Sequence, residues 1–432
     1  MVSYPRGAIL RFMHESRVAR SGRAPLAVGV GLLLILLLLS IFYIRDWKVF
    51  PSALPGSGEA VSSSAPPISP AETARRVAIA ALGPMKMRTG LNAADLYKQA
   101  SELYSQLTPA QRAMLMDWDG KQDPKAAAAL FAKIQPIMDL LRRARKAAYV
   151  DWGMPPPKLE PLGDDQARFG IVNQLGVLAY WEAQYRFQSD PDGAVGDLAA
   201  RDALAGAGVD DGIGMVLQCG GHENAVILIA QNIAGVASAA EPDLAQFTNP
   251  AVSAQAFQSG VDGHASMLQA FLNEYANPAT RDEAEPFIHA LMDSASRKGQ
   301  PISAGEAVSE LQWMESTEQA LATTATEPDA QFKPWFSQTR AQAASMPGLA
   351  VVDPFTTIGA MRSVAQESMA QGQMLAAAIA LEQGGQAQFQ SIADPYTGQP
   401  FTYTQTPTGF KLTSSVMYAG QPVSLSFSTG AK

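Results

Sequence analysis

The chain of 432 residues contains a single cysteine, Cys219, and four histidines. One cysteine cannot form an intramolecular disulfide, so the fold must be held by burial of apolar side chains. The net charge is −8, which does not suit nucleic-acid binding, because that requires clustered Lys and Arg. From Pro395 onward there is no Asp or Glu, so this stretch has no carboxylates with which to bind a cation.

Several enzyme signatures are also missing. The glycine-rich stretch 206–214 has no Gly-Lys-Ser/Thr after it, and its own Asp210 and Asp211 would repel phosphate, which favours a turn between helices. His222-Glu223 lacks the second histidine of the zinc-protease pattern, because position 226 is Val. The nucleophile pattern Gly-x-Ser-x-Gly is absent. We therefore predict no catalytic, cofactor-binding or metal-binding residues.

The stretch most typical of catalytic chemistry is 218–223. Cys219 and His222 lie three residues apart, so one helical face would bring together a thiol nucleophile and an imidazole base. The apolar sequence on both sides favours a second interpretation, in which Cys219 is a buried and inert packing residue. His264 and His289 lie on later predicted helices, where only the fold would bring them to a common site.

Two charged stretches have structural interpretations. The sequence Asp190-Pro191-Asp192-Gly193 lacks the carboxylate spacing of a calcium loop and predicts a turn and helix cap. The basic run 142–146 lies late in a predicted helix, where cations favour the helix dipole, so we interpret it as a solvated face.

The most diagnostic stretch of the chain is an uncharged apolar run at 24–44. A helix of about 20 residues spans a hydrocarbon core of roughly 30 Å. Residues 1–23 carry five arginines and one glutamate, so they form a basic tail that we expect to remain cytoplasmic. Phe42, Tyr43 and Trp47 fall where an aromatic belt is expected. The run therefore predicts a single-pass signal-anchor in the lipid bilayer, with the bulk of the chain exported.

A cleaved signal peptide is the alternative, but its apolar region is usually only 7–15 residues long. Residues 45–70 form a Pro/Ser-rich linker with no apolar period. We assign 71–390 to an α-helical exported domain, with a subdomain break near 151–163 at a proline cluster, and 391–432 to a C-terminal β module. The predicted fold is mainly α, built from helical hairpins in an arrangement similar to tetratricopeptide repeats.

Capping boxes predict four helix starts, at 69–72, 108–111, 280–283 and 303–306, and Asp-Pro at 123 and Asn-Pro at 249 predict two more. Apolar spacing predicts buried helix faces at Leu96, Tyr97, Ala100, Leu103, Tyr104 and Leu107, and at Leu130, Ile134, Ile137, Met138 and Leu141. Further helices are predicted near 165–189, 193–207, 211–239, 250–276, 280–298, 303–324 and 356–388. We assign the methionines at 361, 369 and 374 to core or partner surfaces rather than to a cofactor site.

The last forty residues change to a period of two. Phe401, Tyr403 and Gln405 alternate with threonines, and mainly apolar residues alternate within 410–418 and 423–427, with turn residues at Gly409 and Gly420 between the runs. This pattern predicts a three-stranded antiparallel meander.

The module opens with Asp394-Pro395-Tyr396-Thr397-Gly398-Gln399-Pro400 and runs on to Tyr403. With the anchor and the Ala/Leu-rich helical body, notably 180–201 and 218–233, this resembles a family of bacterial membrane-anchored exported proteins with a C-terminal Asp-Pro-aromatic-x-Gly-x-Pro motif. The motif is also similar to the C-terminal turn of type II secretion pseudopilins. The pseudopilin processing signal, Gly-Phe-x-Leu-x-Glu, is absent before the apolar run. The resemblance implies an exported helical protein and no particular activity.

These observations favour a membrane-tethered cell-envelope protein that acts as a non-enzymatic scaffold or interaction module. We expect the protein in the bacterial inner membrane, with its N-terminus cytoplasmic and another envelope protein as its partner. A secretion or pilus-assembly accessory protein is one alternative, and an exported hydrolase that uses Cys219 or the histidines is another. No cofactor is expected.

Overall fold

The computed structural model describes residues 90–116, 123–153, 165–208, 212–236, 240–324, 329–352, 354–418 and 420–429. This part of the chain is mainly α-helical and ends in a small three-stranded antiparallel sheet. The predicted tail 1–23, span 24–44, linker 45–70 and capping box 69–72 lie outside the described residues. Within those residues, the structure has no helix of the length and apolarity needed to cross a membrane.

The helices of the first half are α1 Ala93–Ser105, α2 Pro109–Met116, α3 Pro124–Ala144, α4 Asp165–Arg186, α5 Pro191–Gly206 and α6 Gly212–Gln231. After a 3₁₀ turn at Ile233–Gly235 come α7 Glu241–Thr248, α8 Pro250–Ala276, α9 Arg281–Arg297, α10 Ala304–Thr324, α11 Asp329–Ala344, α12 Leu349–Val352 and α13 Pro354–Ser391. Helix α13 is interrupted at Gly385, whose φ of 70° is outside the helical region.

Capping residues explain several of the helix starts. In the box at 108–111, Thr108 Oγ1 accepts from Gln111 N at 3.2 Å, and Gln111 Oε1 accepts from Thr108 N at 3.0 Å. The box at 303–306 forms in the same reciprocal way. The box predicted at 280–283 was wrong in its contacts, because the Thr280 hydroxyl donates instead to the Glu274 carbonyl at 2.8 Å, although a helix does begin at Arg281.

The helix predicted at 211–239 ends earlier than expected. Asn232 donates its side-chain amide to the Leu228 carbonyl at 2.8 Å, and the chain leaves α6 in a 3₁₀ turn. Helix α7 then begins at Glu241, with Pro242 in its first turn, where proline loses no hydrogen bond. The separate helices α6 and α7 border one groove.

Four hydrophobic clusters fill the space between the helices. One joins α1, α3, α4 and α5, and it includes most of the faces predicted from the spacing at Leu96 and Leu130. This cluster unites helices on both sides of the subdomain break predicted near 151–163, of which 154–163 lie outside the described residues. A second cluster joins α6, α8, α10, α11 and α13, and a third joins α8, α9, α10 and α12.

The fourth cluster joins α6, α7 and α13 to the sheet. Strands β1 Thr402–Thr406, β2 Gly409–Tyr418 and β3 Gln421–Ser428 pair in the order β1-β2-β3, which confirms the predicted meander. Phe410 lies opposite Phe427, with ring centroids 4.8 Å apart, and both are buried against the helices. The sheet and the helical body therefore share one core.

The Asp-Pro-Tyr motif forms the turn that leads into the sheet. Asp394 is 2% exposed, and its Oδ1 accepts from Tyr396 N at 2.9 Å. Its Oδ2 accepts from the Ser414 hydroxyl and from Ser415 N on β2. Gly398, with a φ of 66°, closes the turn by donating its N–H to the Asp394 carbonyl at 2.9 Å.

The same turn is also attached to the helical body. The Tyr396 hydroxyl donates to Met369 Sδ on α13 at 3.1 Å. The motif thus links α13, the turn and β2 through two side chains, Asp394 and Tyr396. In the described structure it serves to seat the sheet on the body.

Candidate functional site

Cys219 on α6 is 1% exposed and lies in an apolar cluster with Phe257 of α8 and Phe355 of α13. Burial raises the pKa of its thiol, and the nearby carboxylates of Asp202 and Glu223 raise it further. A catalytic cysteine needs a lowered pKa so that it is present as thiolate. These surroundings favour a packing role for Cys219.

His222 lies one turn further along α6 and is 2% exposed. Its Nδ1 is 3.3 Å from Asp202 Oδ1 on α5, and its ring packs against Phe247. Gln246 donates to the other carboxylate oxygen of Asp202 at 2.6 Å. Burial opposes ionisation of Asp202, but His222, Gln246 and Arg201 outweigh it and lower its pKa. The histidine is therefore engaged in a buried link between α5, α6 and α7.

We expect the Cys219 thiol to react slowly in the native protein. Because the thiol is buried and its pKa is raised, alkylation requires local opening of the fold. Iodoacetamide labelling at pH 8, followed by mass spectrometry, should be at least about 100-fold slower in buffer than in concentrated urea. Equal rates in the two solutions would contradict this assignment and would revive the hydrolase alternative.

The two other described histidines lie apart from that link. His264 Nδ1 on α8 is 2.8 Å from Glu318 Oε2 on α10, whose side chain is 1% exposed. His289 on α9 is exposed and 3.9 Å from Glu285 of the same helix. Within the described residues, no group of three or more His, Cys, Asp or Glu side chains is arranged to hold a metal ion.

The remaining candidates from the sequence have structural partners. Asp190 caps α5, accepting from Gly193 N at 3.0 Å, as predicted for a turn and helix cap. Helix α5 ends at Gly206 and α6 begins at Gly212, with 209–211 outside the described residues. Met361 and Met374 are buried in core clusters.

The basic run 142–146 is only partly a solvated face. Arg143 and Lys146 are exposed, as expected. Arg142 instead places Nε 2.7 Å from Asp197 Oδ1, and Arg145 places Nη2 2.6 Å from Asp243 Oδ1. Two of the basic residues thus connect α3 to α5 and α7.

Asp197 is the centre of a buried charged cluster between α3, α4 and α5. Its side chain is 0% exposed and pairs with Arg142 on one oxygen and with Arg186 on the other, at 3.1 Å. Glu182 is 4% exposed in the same cluster and accepts from Gln135 Nε2 at 2.7 Å. The other oxygen of Glu182 has no hydrogen-bond partner among the described residues. Burial, with repulsion from Asp197, raises the pKa of Glu182 above its ordinary value of 4.5.

We expect Glu182→Gln to stabilise the protein at neutral pH. A carboxyl whose pKa is raised in the folded state contributes stability below its unfolded pKa of about 4.5, and this is lost as the pH rises through the folded pKa. Glutamine stays neutral and keeps the acceptor for Gln135. In urea unfolding from pH 4 to pH 8, the parent protein and the variant should have similar stability at pH 4. Above pH 4 the stability of the variant should decline less than that of the parent protein. Parallel plots of unfolding free energy against pH for the two proteins would contradict the prediction.

An open groove lies between α6, α7 and α13. Its volume is about 370 Å³, at the lower end of the range of about 300–1,000 Å³ for binding sites. Helix α7 contributes residues at 241, 244, 245 and 248, and α13 contributes residues at 376, 379, 380 and 383, each set spaced as one helical face. Ile229 and Ile233 form its buried floor.

The rim of the groove is polar and acidic. Glu241 and Glu382 are exposed on opposite sides, and Gln383 and Gln388 complete the α13 side. Gln388 lies in the part of α13 that follows the break at Gly385, and it also lines the groove. The lining residues include two Glu and no Lys or Arg. A ligand with an apolar face and basic flanks fits this arrangement.

Comparisons of the chain with protein families, with curated proteins and with solved structures find no match in any of the three. The groove therefore has to be interpreted from its own chemistry. Sequence reasoning did not find it, because the residues around Glu241 were not recognised as a separate helix. The spacing of Leu244, Ala245 and Thr248 is the signal that would have shown α7.

Proposed function

We propose that the chain is a membrane-tethered protein of the bacterial cell envelope whose body is a non-enzymatic scaffold for another envelope protein. The apolar run 24–44 and its basic flank support the tether. The open groove between α6, α7 and α13 carries the binding role, because it offers an apolar floor within an acidic rim. The resemblance to membrane-anchored exported proteins is consistent with the tether.

Helical hairpins supply the scaffold in this proposal. The consecutive pairs α4–α5 and α8–α9 pack against each other, as hairpins do. Helices α6 and α8 also pack on the distant α13, whereas repeats in an array contact only their neighbours. A bundle closed by α13 therefore describes the body better than a tetratricopeptide-like array.

The buried state of Cys219 and the engagement of Asp394 favour the scaffold over the other two functions. An exported hydrolase that used Cys219 would need an accessible thiolate, and the thiol of Cys219 is buried with a raised pKa. A role in secretion was inferred from the Asp-Pro-Tyr motif. The carboxylate oxygens of Asp394 are occupied in seating the sheet, so the motif offers no separate support for that role.

Membrane extraction tests the tether. After alkaline carbonate extraction of bacterial membranes we expect the full chain in the pellet, and protease added to spheroplasts should digest the body. Deleting 24–44 should release the chain into the soluble fraction, which provides the control. A full-length chain found in the supernatant, or a body protected from the protease, would contradict the tethered arrangement.

Site-specific photo-crosslinking tests the binding role. A benzoylphenylalanine at Ala376, which lines the groove, should form an adduct in cells with a protein of the same envelope. Placed at the exposed Ala341 on α11, the same probe should not form that adduct. Glu241→Lys should reduce the Ala376 adduct, because it reverses one of the two acidic charges on the rim. Equal adducts at both positions, or none at Ala376, would overturn the groove as the binding site.

A further inference from the structure

The solvent-exposed side of α3 is basic, although the chain as a whole carries a net charge of −8. We infer that this side, together with the exposed pair Leu91 and Val150 at its C-terminal end, lies against the anionic phospholipid surface of the membrane. The inference rests on the proposed function, which places the chain at a membrane, and it adds which face of the body contacts the lipid.

Four exposed cations define the basic face of α3, and they are Lys125, Lys133, Arg143 and Lys146. At about 100° per residue, the first three fall within about 80° of the helix circumference. Lys146 follows within one turn, and its N–H donates to the Arg143 carbonyl at 3.0 Å. Asp139 is the single acid of α3, and Arg142 pairs with it at 2.9 Å. The other exposed residues of this face are small, at Ala128, Ala129, Ala132 and Pro136. A flat surface can therefore approach the cations closely.

Two exposed apolar side chains lie at the C-terminal end of this face. Leu91 is 45% exposed and Val150 is 37% exposed, and only two other large apolar side chains of the described residues are exposed. The backbone holds the pair together, because Ala148 N donates to the Leu91 carbonyl at 3.1 Å and Ala93 N donates to the Tyr149 carbonyl at 2.9 Å. Apolar groups beside cations are typical of surfaces that contact lipid, since the apolar groups enter the interface while the cations remain at the headgroups.

The described chain enters the body at the same place. Gly90 has a φ of 119°, and a Cβ at this position would lie 2.9 Å from Ala148 Cβ, so the backbone passes closely over the end of α3. The apolar run 24–44, which supports the proposed tether, precedes this point in the chain. In the proposed arrangement the body is therefore attached to its tether beside the basic face. This position favours a bilayer over an acidic protein as the partner of the face.

The charge distribution of the body selects the same orientation. Residues 124–146 contain six basic residues and one acid, whereas residues 240–324 contain three basic residues and 12 acids. Arg142 and Arg145 are engaged in ion pairs with Asp197 and Asp243, which leaves the four exposed cations for an external partner. An anionic surface attracts this part of the body and repels the acidic part, so it orients the body with α3 toward the lipid.

Fluorescence quenching in the full-length protein tests the contact. Val150→Cys is labelled with nitrobenzoxadiazole, and the protein is reconstituted in nanodiscs of phosphatidylcholine alone or with about one-third phosphatidylglycerol. A lipid that carries a nitroxide on its headgroup should quench the label several-fold more strongly in the anionic discs. The same label at Ala341→Cys on α11, which is also exposed, is the positional control and should be quenched equally in both. The native Cys219 is buried, so it does not compete for the label.

Two charge-reversal variants test the cations. Arg143→Glu with Lys146→Glu should lower the quenching at Val150 to the level seen in neutral discs, and about 0.5 M NaCl should do the same for the unaltered cations. Arg297→Glu with Lys298→Glu is the matched control, because these exposed cations also lie at the C-terminal end of a helix, α9. Quenching that does not depend on lipid charge, or that both variants reduce equally, would overturn the inference.

The carbonate extraction separates this inference from the proposed function. A full chain that stays in the pellet, with quenching at Val150 no stronger than at Ala341, would refute the lipid contact and leave the tether standing. A full chain that is extracted, yet floats with phosphatidylglycerol vesicles only while Arg143 and Lys146 are intact, would refute the tether and support the lipid contact. A benzoylphenylalanine at Val150 that traps an envelope protein, with quenching at the control level, would overturn the inference in favour of a protein partner.

Discussion

Replacing Asp197 with alanine is expected to lower the free energy of unfolding by about 3–5 kcal/mol, which is the cost of breaking a buried ion pair by removing one partner. Asp197 is fully buried and holds Arg142 and Arg186 by separate oxygens. Without it, two guanidinium groups remain between α3, α4 and α5 without their buried counter-charge. Urea unfolding followed by far-UV circular dichroism measures the change.

Asp139 offers a matched control, because it pairs with the same arginine. Its oxygen is 2.9 Å from Arg142 Nη1, but its side chain is 67% exposed. Asp139→Ala should cost less than about 1 kcal/mol, since solvent screens an exposed pair. Similar losses for the two variants would contradict the prediction, because they would show that burial does not govern the strength of this cluster.

Asp394→Asn is the second change with a large expected effect, about 2–3 kcal/mol of unfolding free energy. The carboxylate accepts three hydrogen bonds, from Tyr396 N, the Ser414 hydroxyl and Ser415 N. Asparagine keeps one acceptor oxygen and turns an amide donor toward groups that are themselves donors. Because the site is 2% exposed, water does not replace the lost contacts.

Thr397→Ser in the same turn is the control for Asp394. Thr397 is exposed, and serine keeps the hydroxyl that accepts from Gln399 N at 3.3 Å. Its effect should stay within about 0.5 kcal/mol. If thermal unfolding gave the same midpoint for Asp394→Asn as for Thr397→Ser, the motif would not seat the sheet in the way described.

Much of the secondary structure could be predicted from local chemistry. The caps at Asp123 and Asn249 and the boxes at Thr108 and Ser303 act within four residues of themselves, so the sequence shows them directly. The alternation in the last forty residues was likewise enough to predict three strands, because a half-buried sheet imposes a period of two.

The features that were not predicted from the sequence depend on contacts between residues that are distant in the chain. Thr280 has the residue type of a capping box, yet the Glu274 carbonyl competes for its hydroxyl. Arg142 looked like part of a solvated run, and only the packing of α5 on α3 reveals its buried partner Asp197. The groove could not be predicted from the sequence, because Glu241 and Glu382 lie at one site although they are 141 positions apart in the chain. Local patterns carry no information about such pairings.

The sheet that shares its core with α6 and α13 also determines when the fold can be completed during synthesis. Leu425 and Val226 belong to one cluster although roughly 200 residues separate them, and contacts of that separation form late and slowly. Until β3 has been synthesised, the apolar sides of α6 and α13 that pack against the sheet remain exposed. They are then accessible to proteases and prone to aggregation. A chain terminated just before Gly409 would therefore contain all of the described helices around an unsealed core, and we expect cellular quality control to remove it.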